Sequence, residues 1–184
     1  MRYIISGIHR SGTSVLVKSI FESSELTPYF SLEIEEIIRS REIDPEYDPN
    51  PSGYFSHGKM FAPISDWVSE TPDNSVFKAA PEAFLNSIVQ EKIFVAMIER
   101  SQAEIEESYK RAFGHSTLDV RYGCQIRAKE LLEVDPNVNF TKINFSDLMS
   151  DPVDVFGTLA NNGWPIDPII AAENIDASLY RNIS

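Results

Sequence analysis

The chain has 184 residues, of which 42% are hydrophobic and 11% aromatic. This length and composition predict a single domain over residues 1–184 and exclude an intrinsically disordered chain. The formal net charge of −12 argues against nucleic acid as a partner, because binding a phosphate backbone requires a basic surface. A single cysteine, Cys124, excludes an internal disulfide and a multi-cysteine metal site.

The first predicted elements are a strand, a glycine-containing loop and a helix. Residues 2–6 are β-branched or aromatic and end at Gly7, which predicts a buried strand. The strand begins directly after Met1, so we expect no signal peptide and a cytoplasmic protein. Helical spacing of apolar residues starts at Thr13 and recurs over residues 31–41. The segment of about 42–58 is rich in proline and glycine and is predicted as a loop, either a lid or a surface excursion.

The second half of the chain continues the alternation of helices and strands. The run over 93–98 is apolar on both faces, as in a buried parallel strand, and is too short to span a bilayer. We therefore expect no contact with a membrane. Further helices are predicted over 55–69, from Pro81 to Val89, over 102–113 and over 117–133, and further strands over 75–78 and 138–143. A last helix is predicted from Asp151-Pro152, with Val153, Phe156 and Ala160 facing inward.

This alternation predicts an α/β fold with a three-layer architecture, in which helices cover both faces of a parallel sheet. Ligands of such sheets bind beyond the carboxyl ends of the strands. The loop after the first strand lies at that edge.

The loop has the pattern Gly7-x-x-x-x-Gly12-Thr13-Ser14 between a strand and a helix, as phosphate-binding loops do. Its glycines permit a tight turn whose amides, with the helix N-terminus, can bind an anion, and Thr13 and Ser14 add hydroxyl donors. Thr13 replaces the lysine that nucleoside triphosphatases place after the second glycine. The nearest cation is Arg10, whose guanidinium can bond two oxygens of a tetrahedral anion. We therefore predict anion binding without a metal.

The segment from Ser6 to Leu16 resembles the 5′-phosphosulfate-binding loop of the sulfotransferase family, in its bacterial and phage-type branches. This resemblance implies a P-loop nucleoside-triphosphatase-like (sulfotransferase) fold. It also implies 3′-phosphoadenosine 5′-phosphosulfate (PAPS) as the co-substrate. The loop residues Gly7, Arg10, Ser11, Gly12, Thr13 and Ser14 would then hold the sulfated end of the donor.

A second segment is similar to the same family. The family has an arginine at a strand end and a serine eight residues later, and both bind the donor's 3′-phosphate; Arg100 and Ser108 match this spacing. The segments 50–55, 77–81 and 143–163 also resemble family motifs. In that comparison Lys78 matches a lysine at a strand end, and it would stabilise charge with Arg10; a structural surface lysine is the alternative.

The sequence departs from the family where the general base is expected. Ala79 and Ala80 follow Lys78, where the cytosolic branch has a catalytic histidine, and the late Arg-Lys-Gly element is not apparent. We predict His57 as the base, because its ordinary pKa suits proton transfer near neutrality. Glu33 is the second candidate and Glu35 the third.

The predicted function is transfer of a sulfuryl group from PAPS to a hydroxyl or amine of a small molecule, glycan or peptide. Two alternatives stay open. One is a catalytically silent nucleotide-binding module, since the base is not evident. The other is a P-loop small-molecule kinase or phosphoryl transferase, which would require a lysine after Gly12.

Overall fold

The computed structural model describes residues 1–43, 50, 53–114 and 119–176. Its strands are Arg2–Ser6 (β1), Thr27–Pro28 (β2), Ser75–Ala79 (β3), Ile93–Glu99 (β4) and Val138–Asn144 (β5). Its helices are Thr13–Glu22 (α1), Leu32–Arg39 (α2), Ile64–Glu70 (α3), Gln102–Phe113 (α4), Asp119–Val134 (α5), Phe145–Ser150 (α6), Pro152–Asn161 (α7) and Pro168–Glu173 (α8). None of the helices in this described part is long and apolar enough to cross a membrane.

The five strands form one parallel sheet in the order β2-β3-β1-β4-β5. Ser6 of β1 lies opposite Ala79 of β3 and Met97 of β4, so these strands approach the same edge together. β3 lies on one side of β1 with β2 beyond it, and β4 lies on the other side with β5 beyond it. The carboxyl end of β1 is therefore the switch point at which open α/β sheets bind ligands.

Helices cover both faces of the sheet, because neighbouring residues of each strand point to opposite sides. Ile5 of β1 belongs to a buried cluster with Leu16 of α1 and Phe156 of α7. Ile4 belongs to a second cluster, with Trp67 of α3, on the other face. Burial of each such side chain stabilises the fold by roughly 1.5–3 kcal/mol. The predicted three-layer α/β architecture is confirmed.

The segment before β3 is less helical than predicted. A helix was expected over 55–69, but α3 begins only at Ile64 and follows Pro63. Proline has no backbone N–H, so it opens a helix and does not continue one. Phe55 has a left-handed backbone (φ 50), which also breaks a helix. Of the predicted loop, residues 44–49 and 51–52 lie outside the described residues.

Two further differences concern helix ends. The helix predicted from Pro81 to Val89 is only a 3-10 turn over Pro81–Phe84. Ser87 Oγ accepts the Ile64 N–H and donates to the Ala83 carbonyl, which ties the following chain to α3. In α7, the predicted inward residue Val153 is 51% exposed, because the buried face of this helix begins only at Phe156.

Candidate functional site

The loop between β1 and α1 requires glycine at both predicted positions. At Gly7 (φ +155), a Cβ atom would lie 2.6 Å from Ser11 Oγ and 2.8 Å from the Ile98 carbonyl oxygen. At Gly12 (φ +104), a Cβ atom would lie 2.5 Å from Cδ2 of Phe145. Left-handed backbone is costly for other residues, and neither position has room for a side chain. The glycine pattern of the sequence therefore reflects a steric and backbone requirement of the folded loop.

The N-terminus of α1 follows directly on this loop. Gly12 is the N-cap residue, and neither a side-chain cap nor an acidic residue occupies the first turn. The first backbone N–H groups of a helix have no intrahelical acceptor, and the helix dipole favours a negative charge there by about 0.3–1 kcal/mol. Thr13 and Ser14 are buried at this end, as is Ser11, whose hydroxyl has no hydrogen-bond partner among the described residues. This end of α1 is suited to bind an anion.

Arg10 joins the loop to the segment after β4. Its backbone is left-handed (φ 73), and its Nε donates to Ser108 Oγ of α4 at 3.1 Å. Arg100 Nη1 donates to the backbone oxygen of Arg10 at 3.2 Å. The Arg100 guanidinium also lies over the Phe145 ring, 4.3 Å from its centroid. The two segments that were predicted separately therefore form one connected group.

Lys78 of β3 lies beside the start of α1. It is only 6% exposed. Its Nζ donates to Ser14 Oγ at 3.1 Å and to the Tyr54 carbonyl oxygen. Desolvation lowers the pKa of Lys78 to about 7; the charge of Glu35 opposes this shift and that of Arg10 adds to it. Lys78 is therefore a buried amine of the site, and the alternative of a surface lysine is wrong.

Most of these groups line one cleft at the carboxyl edge of the sheet, but Ser11 and Ser108 are not among the residues that line it. Its space, open mouth included, is about 870 Å³. Arg10, Lys78 and Arg100 line it, and none of the lining residues in the described structure is acidic. In a chain of net charge −12, this concentration of cations selects for anions. No group of three or more His, Cys, Asp or Glu side chains that could hold a metal ion occurs among the described residues.

His9 also lines the cleft, and its ring stacks on Phe61 with centroids 6.2 Å apart. Desolvation, together with the positive charges of Lys78, Arg121 and Arg10, lowers the pKa of His9 to about 3. At neutral pH the imidazole is therefore an uncharged hydrogen-bonding group, and it is a weak proton acceptor.

The first two candidate bases, His57 and Glu33, lie elsewhere in the described structure. The His57 ring packs beside Tyr29 and Trp67, with centroids 5.1 and 5.6 Å away, and its Nδ1 accepts the Lys59 N–H at 3.2 Å. Burial lowers the pKa of His57. Glu33 lies exposed in the first turn of α2. Neither is among the residues that line the cleft, and their role as base stays a prediction.

The solved structures that are similar to this chain include the following two. One is an unliganded sugar kinase from Janibacter sp. HTCC2649, with 11% identity, a TM-score of 0.48, and coverage of 92% of this chain and 96% of that one. The other is retinol dehydratase in complex with androsterone and the inactive cofactor PAP. It has 12% identity, a TM-score of 0.49, and coverage of 94% of this chain and 62% of that one. No known protein family and no curated protein matches the sequence.

Two residues that shape the site have only weak signals in the sequence. Glu35 is buried, and its carboxylate accepts the N–H groups of Tyr54 at 2.6 Å and Ser56 at 2.8 Å. Phe145 packs against Gly12 and Arg100. Both contacts join residues far apart in the chain, so no spacing rule reveals them. The only signal was indirect, since Phe145 lies in the segment 143–163 that resembles the family.

Proposed function

We propose that this protein is a PAPS-dependent sulfotransferase that transfers a sulfuryl group to a hydroxyl or amine of a small molecule, glycan or peptide. The observation that carries the proposal is the contact of Arg10 with Ser108 and Arg100. In the family that the sequence resembles, the loop and the arginine–serine pair bind opposite ends of one donor. Their adjacency in this fold supports a single ligand that touches both.

The chemistry of the cleft fits a ligand with two anionic groups. The loop amides, Arg10 and the hydroxyls of Thr13 and Ser14 would hold the 5′-phosphosulfate, because amide dipoles and a guanidinium fork both favour tetrahedral oxyanions. Arg100 and Ser108 would hold the 3′-phosphate. No carboxylate belongs to the described lining of the cleft, but Glu104 lies 3.7 Å from the Arg100 guanidinium and would compete with the 3′-phosphate for it.

The reaction is an in-line displacement at sulfur. The acceptor oxygen or nitrogen forms a bond to sulfur, and the bond from sulfur to the bridging oxygen breaks. That oxygen leaves with the electron pair as part of the 5′-phosphate, and the acceptor proton passes to a general base. Arg10, Lys78 and the loop amides would stabilise the negative charge that grows on the bridging oxygen.

The base is tested by sulfuryl transfer in two variants, His57→Ala and Glu33→Gln. General-base catalysis contributes about 10²–10⁴-fold to rate, so loss of the true base gives a large fall in kcat. A full rate in both variants would remove both residues from the mechanism.

A nucleotide-binding module without transfer activity is the second candidate function. It is favoured by the position of His57 and Glu33, which lie outside the described lining of the cleft. Turnover of labelled PAPS with a panel of alcohols and amines separates the two functions, since the module binds the donor and leaves it intact.

The donor assignment is tested by thermal shift with 3′-phosphoadenosine 5′-phosphate, ADP-magnesium and ATP-magnesium. We expect stabilisation by the first ligand only, and its loss in Arg10→Gln. Arg127→Gln is the matched control, because Arg127 is an exposed arginine of α5 that pairs with Glu130 and is not among the residues that line the cleft. Stabilisation by ATP-magnesium without an effect of 3′-phosphoadenosine 5′-phosphate would contradict the proposal and favour a phosphoryl transferase.

A further inference from the structure

We propose that Glu35 is a positioning residue, whose buried carboxylate fixes the turn over residues 53–57 and supplies a negative charge that favours the protonated form of Lys78 in the cleft. The effect on ligand binding rests on the proposed function, whereas the effect on Lys78 itself does not. The inference comes from contacts that link α2 to the loop through a single turn.

The first link is the clamp on the turn. Glu35 is 9% exposed, and its two oxygens accept one backbone N–H each, from Tyr54 and from Ser56. Between them, Phe55 has a left-handed backbone with φ 50. A non-glycine residue keeps this conformation only when its surroundings hold it. The two hydrogen bonds of Glu35 supply that constraint on both sides of Phe55.

The second link leads from the turn to the anion site. The carbonyl oxygen of Tyr54 accepts from Lys78 Nζ and, at 3.2 Å, from Ser14 Oγ. Lys78 Nζ also donates to Ser14 Oγ at 3.1 Å. The position of the turn therefore decides where the lysine amine lies relative to the first residues of α1.

The third link is electrostatic. Burial and the charge of Arg10 lower the pKa of Lys78, and the charge of Glu35 raises it. His9, the other titratable group of the loop, is neutral near pH 7 because its pKa is about 3. Among the described residues, Glu35 is thus the negative group that offsets the cost of a buried ammonium.

The same contacts give Glu35 a role other than that of a base. Both of its oxygens accept backbone N–H groups of the turn, and the residue is not among those that line the cleft. It acts on the reacting region only through Tyr54 and Lys78. Glu35→Gln keeps the size of the side chain and removes the charge, so it separates this role from simple packing.

The experiment follows the titration of Lys78 by NMR in protein labelled with ¹³C-lysine, with Lys78→Met used to assign the signal. We expect the midpoint to fall by about one pH unit or more in Glu35→Gln, because a neighbouring opposite charge commonly shifts a pKa by 1–3 units. Glu36→Gln, an exposed neighbour on α2, is the matched control and leaves the midpoint in place. Glu35→Asp keeps the charge on a shorter arm and serves if Glu35→Gln does not fold.

An unchanged Lys78 midpoint in Glu35→Gln would overturn the proposal. Where only Glu35→Asp folds, we expect a smaller fall of the midpoint, and a midpoint equal to that of Glu36→Gln would overturn the proposal. The titration needs no nucleotide, so a failure of the sulfotransferase assignment leaves it readable. A separate measurement of affinity for 3′-phosphoadenosine 5′-phosphate against pH tests the link to binding. In Glu35→Gln we expect this affinity to decrease at a lower pH than in the wild type. In the Lys78→Met background, the Glu35→Gln substitution should no longer change the pH dependence.

Discussion

Replacing Gly12 with alanine adds one methyl group where the loop meets α6, and we expect it to destabilise the fold by about 2–5 kcal/mol. The new Cβ would lie 2.5 and 2.6 Å from two ring carbons of Phe145, far inside carbon–carbon contact distance. Phe145 is 5% exposed and packs against Arg100, so it has little freedom to move. Overpacking costs about 1–3 kcal/mol, and left-handed backbone at a non-glycine residue costs about 1–2 kcal/mol.

The assay is urea denaturation of Gly12→Ala beside Gly157→Ala. Gly157 lies within α7, and a Cβ there meets no atom within 4 Å. Alanine at that position should stabilise the protein by about 0.5–1 kcal/mol, because glycine is a poor helix former. The two substitutions are chemically the same and are expected to change stability in opposite directions.

Equal stability of Gly12→Ala and wild type would refute the loop geometry. A double variant provides a further check on the cause. If the clash with Phe145 is the reason, Gly12→Ala combined with Phe145→Ala is less destabilised than the sum of the two single variants. Strict additivity would show that the two residues are not in contact.

Three further predictions concern charges and hydrogen bonds of the cleft. The pKa of Lys78 is lowered from 10.5 to about 7, so between these pH values the unfolded state binds more protons and the free energy of unfolding rises with pH. In urea denaturation, Lys78→Met should reduce this rise, and an unaltered dependence on pH would contradict the prediction. The pKa of His9 is lowered from 6.5 to about 3, so stability falls on acidification through this range, and His9→Asn should move the acid-unfolding midpoint to lower pH. Ser108→Ala removes the acceptor of Arg10 Nε and should lower the affinity for 3′-phosphoadenosine 5′-phosphate by about threefold to tenfold. Calorimetry measures this affinity, and an unchanged value would contradict the prediction.

Local sequence patterns correctly predicted those helices and strands whose ends depend on neighbouring residues in the chain. The helix predicted over 102–113 is α4, which has Ser101 as its N-cap and the left-handed Gly114 at its end. The apolar run over 93–98 is β4, which is almost wholly buried between two parallel neighbours. The helix predicted from Pro81 failed because the chain after Phe84 is tied to α3 by Ser87, a tertiary contact that its own sequence does not reveal.

The site was predictable in part for the same reason. The glycines and Arg10 lie within one loop, so their spacing in the sequence was enough to predict that loop. The contact of Arg10 with Ser108 joins residues 98 apart and was not predicted, because the family resemblance paired Ser108 only with Arg100. The clamp of Glu35 on Tyr54 depends on how α2 packs against a turn without regular structure. Such contacts follow from the fold and leave no periodic trace in the sequence.

The central claim is that the loop and the Arg100/Ser108 pair hold two anionic groups of one nucleotide. Calorimetry of wild type and Arg100→Gln with 3′-phosphoadenosine 5′-phosphate and with adenosine 5′-monophosphate tests it most directly. The ratio of the two affinities cancels any change in loop geometry that affects both ligands. We expect Arg100→Gln to lower the preference for the 3′-phosphorylated ligand about tenfold or more, as loss of a charged hydrogen bond does. An equal loss for both ligands would contradict the account, because the 3′-phosphate would then have no partner in Arg100.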